Sequence, residues 1–134
     1  MKKILLVLSI VLVALLVLGC DNVLHNRGIV GPELESGSFD GIKVYVPVAL
    51  GLSHVWWWDA EGISPDSNSD SGWPGDEMTI DEDDTDFYVF ILEDATASNI
   101  IFNNDGQGDQ TSDLEVTAQG VYWLNADKEL VAIE

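Results

Sequence analysis

Three adjacent tryptophans, Trp56-Trp57-Trp58, stand between His54 and Asp59. A second aromatic segment follows at Gly72-Trp73-Pro74-Gly75-Asp76-Glu77-Met78. The side chains of an extended strand alternate between its two faces. His54, Trp56 and Trp58 therefore share one face, and Val55 and Trp57 share the other. One face of such a strand packs inward, so at least one tryptophan is expected to point out of the core. An outward ring beside a second aromatic loop makes an apolar surface of the kind that binds. Flat rings suit sugars, because a pyranose has an apolar C–H face and a polar rim. The ring covers the first, and Asn, Gln or Asp can hydrogen-bond the second.

Other chemistries have little material. Asp81–Asp86 is rich in carboxylates, and a carboxylate pair could hydrolyse a glycoside. That reaction needs one group with a raised pKa in a cleft, whereas this run reads as a solvated hairpin turn or a weak cation site. The histidines are His25 and His54, too few for a Ser–His–Asp arrangement or a histidine-rich zinc site. Asp66, Asn68, Asp70 and Glu77 mimic the spacing of a calcium loop. Ser71 replaces its glycine, however, Trp73-Pro74 intrudes, and no helices flank it. Gly106-Gln107-Gly108-Asp109 echoes a single calcium β-helix repeat, which needs many copies. The expectation is a protein without catalytic residues, metal ligands or cofactor.

The formal charge of −19 over 134 residues excludes nucleic acid as a partner, since phosphates demand Lys and Arg. It also disfavours docking on anionic lipid and leaves neutral ligands open.

The elements that must position the aromatics are short. Strand-like runs are read at Ile42–Val46, His54–Asp59, Glu77–Ile80, Phe87–Leu92, Asn99–Phe102, Leu114–Val116, Val121–Leu124 and Leu130–Ile133. Gly-, Asp-, Asn- and Ser-rich turns separate them. No helical stripe of useful length is found. The pattern predicts an all-β fold, an antiparallel β-sandwich of seven to eight short strands, over residues 39–134. Trp57, Trp58 and Trp123 are expected in its core. Asn103 and Asn104 are expected as turn residues that satisfy backbone groups.

With those elements in place, the sequence resembles the starch-binding modules of carbohydrate-binding family 26. The residues concerned are Trp56–Asp59, Trp73-Pro74-Gly75 with Met78, and Asn99-Ile100-Ile101-Phe102-Asn103-Asn104. Gln110-Thr111 with Asp113-Leu114, and Val121-Tyr122-Trp123, complete the set. The resemblance covers roughly 39–134. It implies a β-sandwich that binds α-glucan (starch, glycogen or maltooligosaccharides) without catalysis. Carried over position by position, it implies ligand contacts at His54, Trp56 and Trp73, with Gln110 as hydrogen-bond partner. Two positions depart from the family pattern. His54 stands where an aromatic is usual, and Asp105 replaces the Gly of the F-N-N-G segment.

The start of the chain carries a different signal. Lys2-Lys3, the apolar run Ile4–Leu18, and Gly19 have the layout of a secretory leader, 1–19. The run is short of the ~20 residues of a comfortable membrane span. Val17-Leu18-Gly19-Cys20 resembles a bacterial lipobox, which implies lipidation at Cys20. Cys20 is the single cysteine, so no intrachain disulfide can form. Residues 20–38 then read as the lipidated N-terminus and a flexible tether. The expectation is a lipoprotein at the cell membrane, facing periplasm or exterior. It would hold α-glucan for separate amylolytic enzymes. The alternative is a structural or protein-interaction lipoprotein, with calcium as a possible stabiliser.

Overall fold

The computed structural model describes residues 29–33, 38–63 and 68–134. The leader, Cys20, most of the tether and Asp66 of the calcium-like spacing lie outside the described residues. Among the described residues no helix is long and apolar enough to cross a membrane.

Among the described residues, nine strands form two sheets. They are β1 (Gly41–Pro47), β2 (His54–Glu61), β3 (Asp76–Glu77), β4 (Thr79–Ile80), β5 (Phe87–Glu93), β6 (Ala97–Asn103), β7 (Leu114–Val116), β8 (Gly120–Leu124) and β9 (Leu130–Ile133). The five-stranded sheet runs β4-β5-β1-β8-β9, and the four-stranded sheet runs β3-β2-β6-β7. The expected sandwich is thus present, and every expected run is extended. The extra strand arises at Glu77–Ile80, which divides at Met78. Its first half pairs with β2 and its second half with β5. Buried Met78 marks the crossing, and its N–H donates to the Ser53 carbonyl at 2.8 Å. One pair departs from the antiparallel expectation, because β1 and β8 run parallel. A parallel pair needs a long connection between its strands, and most of the domain lies between these two.

The core lies between the sheets. Ile42, Val44 and Val46 alternate along β1 and are fully buried, facing Val55, Ile100 and Phe102 of the other sheet. Phe90 and Phe102 meet edge to face across the gap, with centroids 6.2 Å apart. Such a pair adds about 0.5–1.5 kcal/mol beyond its buried area. The period-two alternation that fills this core also decides which aromatics are left outside it.

Candidate functional site

Strand β2 carries the site. Its inward residues are Val55, which is buried, and Trp57, which packs against the core. His54, Trp56 and Trp58 alternate with them and lie on the outer face. Opposed residues of an antiparallel pair share a face. Ile101 lies across from Trp56, Asn99 across from Trp58, and Asn103 across from His54. Beyond β6, Glu115 lies across from Asn99. The outer face of the four-stranded sheet is therefore a strip of tryptophan bordered by amide and carboxylate groups.

Two of the expected contact residues come together here. The Trp56 and Trp73 rings stand 5.7 Å apart and nearly perpendicular, at 88°. Trp73 is 48% exposed although it is a large apolar ring. The tight segment after it explains its position. Gly75 has φ +96°, a region that favours glycine. A Cβ there would press into the Val55 carbonyl and lie 2.9 Å from Trp56 Cα. Only glycine lets the loop close against β2, and that closure brings Trp73 beside Trp56.

A buried amide fixes the loop from the other side. Asn103 is fully buried, although its register places it on the outer face. Its Nδ2 donates to the Pro74 carbonyl at 2.8 Å, and its Oδ1 accepts from Gly106 N–H at 2.9 Å. It ties the Trp73 loop to the loop at 104–109, whose Gly106 backbone passes against Trp73 Nε1. Asn103 thus satisfies backbone groups as expected, but as the last residue of β6 and not as a turn residue.

The other two expected residues are placed differently. Gln110 is exposed at the site's end and forms an isolated bridge with Asn103. Its neighbour Thr111 is buried and holds β6, accepting from Phe102 N–H at 3.1 Å. Thr111 anchors the turn, which leaves the Gln110 carboxamide at the surface. His54 is largely covered, and both ring nitrogens have company. Ser53 Oγ lies 3.0 Å from Nδ1, and Asp105 Oδ1 lies 3.6 Å from Nε2. The two departures from the family pattern thus touch each other. Asp105 adopts φ +46°, so it takes the left-handed conformation that a glycine would supply.

Two expectations fail. Trp58 is not a core residue: it stacks on Trp56 at 5.1 Å with 28° between planes. The alternation that put it on Trp56's face was the signal, and it outweighs the general tendency of tryptophan to be buried. Trp123 is also outside the core. It lies across from Tyr45 on the outer face of the five-stranded sheet, while Tyr122 packs inward.

The carboxylates at Asp81–Asp86 serve the turn itself. Asp81 Oδ1 accepts from Asp83 and Asp84 N–H at 2.8 and 2.9 Å, which ties the carboxylate to its own backbone. Among the described residues no group of His, Cys, Asp and Glu is arranged to hold a metal ion. A cavity of about 610 Å³ is lined by Ile29, Val30, Pro47, Val48 and Phe87 among others, and none of the three rings reaches it. The aromatic strip is an open surface, which suits a segment of a long polymer better than a small enclosed molecule.

The chain is a two-sheet sandwich with an aromatic strip on one outer face, margined by amides. Residues 51–116 match the family described as starch-binding module 26. That interval contains His54, Trp56, Trp73 and Gln110 and ends before Trp123. Among solved structures, the chain is similar to CBMbc (family CBM26) from Eubacterium rectale Amy13K, determined in complex with maltoheptaose. The TM-score is 0.51, with 20% identity over 69% of this chain and 44% of that one. The likeness thus spans less than half of the solved chain. No curated protein matches the sequence.

Proposed function

We propose that this chain is a non-catalytic α-glucan-binding protein, held at the membrane by lipid on Cys20. The observation that carries the reading is the perpendicular pair of Trp56 and half-exposed Trp73, inside the interval that matches the starch-binding family. In this reading Trp73 stacks on the C–H face of one glucose unit while Trp56 meets the adjoining unit. Gln110 hydrogen-bonds hydroxyl groups at the end of the strip. His54 contributes its ring edge and, through Asp105, braces the loop that backs Trp73. An uncharged ligand meets no repulsion from the acidic surface. The maltoheptaose complex of the similar structure supports the ligand class. Lys2-Lys3, Ile4–Leu18 and Gly19-Cys20 support the anchor. Glucan held there would serve separate amylolytic enzymes.

Affinity electrophoresis tests the binding. The protein is expected to be retarded in gels containing amylopectin or glycogen, and mobility unchanged from a glucan-free gel refutes the reading. Metabolic labelling with a radioactive fatty acid tests the anchor separately. Label is expected in the intact chain and absent from Cys20→Ser.

A further inference from the structure

The Trp56–Trp73 corner does not exhaust the strip. Trp58 covers the face of Trp56 that is turned along β2, and it is only half-buried itself. Asn99 lies directly across from it on β6 and is also half-buried. The Asn99 carbonyl accepts from Ser98 Oγ at 3.1 Å, but its carboxamide makes no hydrogen bond among the described residues. Asn103, two residues along the same strand and on the same face, has both ends of its amide committed. The two asparagines are thus alike in chemistry and opposite in use. One holds loops together, and the other keeps two donors and an acceptor uncommitted among the described residues, beside an aromatic ring. Exposed Glu115, across from Asn99, adds acceptors at the margin.

We propose that Trp58 and Asn99 form a second contact zone, which takes a further glucose unit of the same glucan chain. The proposal rests on the glucan-binding reading and extends it in one direction. Two residues along β2 and one strand across, Asn99 is offset from Trp56 by roughly 8 Å. That is more than the span of one pyranose ring. A short oligosaccharide seated on the Trp56–Trp73 corner leaves Asn99 unused, and a longer one reaches it. The ring edge of Trp58 meets the apolar side of the added unit while the Asn99 amide bridges its hydroxyls. The zone therefore sets a chain-length preference without enlarging any pocket.

Calorimetric titration of the intact chain with maltose and maltoheptaose tests this. The wild type is expected to bind maltoheptaose more tightly. Asn99→Ala is expected to bind maltose unchanged and to lose roughly three- to tenfold on maltoheptaose, the worth of one or two hydrogen bonds. Asn99→Gln, which keeps the amide, is expected to restore part of the difference. An unaltered near-ultraviolet circular dichroism spectrum verifies that the Trp56–Trp58 stack survives in both variants. An equal loss on both ligands, or no loss on either, overturns the second zone and leaves the glucan-binding reading intact. A wild type that binds neither ligand overturns the glucan-binding reading and the second zone with it.

Discussion

The outer faces of the two sheets are built from similar residues and are covered differently. The four-stranded sheet presents Trp56, Trp58 and, from its loop, Trp73. The five-stranded sheet carries Tyr45, Trp123, Val89, Ile91 and Val131 in register across its strands. On the second face the rings are already covered by the protein. Tyr45 is 4% exposed, with Phe87 edge-on at 6.1 Å and Lys43 Nζ 4.9 Å from its centroid. Trp123 has the backbone of Gly31 lying on it, so close that a Cβ there would stand 3.0 Å from the ring. On the first face Trp73 is backed by the loop at 104–109 and still leaves 48% of its surface exposed. Aromatic content alone does not distinguish an open face from a covered one. The distinction lies in whether the chain supplies its own cover, and in whether amides at the margin are free.

The most severe way to break that difference is at Gly75. Alanine there would push its Cβ into the β2 backbone at a positive φ, and backbone cannot swing aside as a side chain can. We expect Gly75→Ala to lower stability by about 2–4 kcal/mol in chemical denaturation. Glucan retention should be abolished, because Trp73 leaves Trp56. Retention at the wild-type level would mean that the corner is not the binding surface.

Substitution of the exposed ring itself separates binding from folding. Trp73→Ala should weaken glucan binding by roughly 1–3 kcal/mol, the loss of one stacking anchor. Its thermal midpoint should stay close to the wild type, since a half-exposed ring contributes little to the core. The matching change on the other face, Ile91→Ser, should leave binding unchanged. If the two variants bound alike, the contrast between the faces would collapse.

The pair of His54 and Asp105 offers a finer test. Removing either partner, in His54→Ala or Asp105→Ala, should loosen the loop that backs Trp73. A double-mutant cycle on glucan affinity should give a coupling of a few tenths of a kcal/mol, as expected for a pair with one well-exposed partner at 3.6 Å. Zero coupling would show that each acts alone.

Much of this was legible in the sequence for one physical reason. Strands bury alternate residues, so the sequence alone separates Val55 and Trp57 from His54, Trp56 and Trp58. The strand runs and the sandwich follow from the same periodicity, reinforced by turn residues. What could not be read is what depends on contacts between distant segments. Nothing local announces that Met78 carries the chain from one sheet to the other. The role of Asn103 depends on Pro74 and Gly106 arriving from two loops. Trp123 looks like a core residue by type, and only the pairing of β8 with β1 turns it outward. Asp105 could be seen to depart from a glycine position, but its reach to His54 required the folded loop. That the Asn99 amide finds no partner among the described residues depends on what β2 and β7 bring beside it.

The smallest expected effect is the most direct comment on the two faces. Gly31→Ala places a methyl group against the Trp123 ring, within a few tenths of an ångström of what the site can hold. The ring or the residues around position 31 must give slightly, at a cost of about 1 kcal/mol or less. The emission of Trp123 should shift toward that of a more solvated indole, measured in a chain where Trp73 is replaced by Phe to reduce the background. Glucan affinity, measured in the Gly31→Ala chain that keeps Trp73, should not change, because the rearrangement is confined to the far sheet and the core between the sheets is closely packed. A change in affinity would show that the cover over Trp123 and the open strip at Trp56 are coupled through that core. The two faces would then be parts of one device.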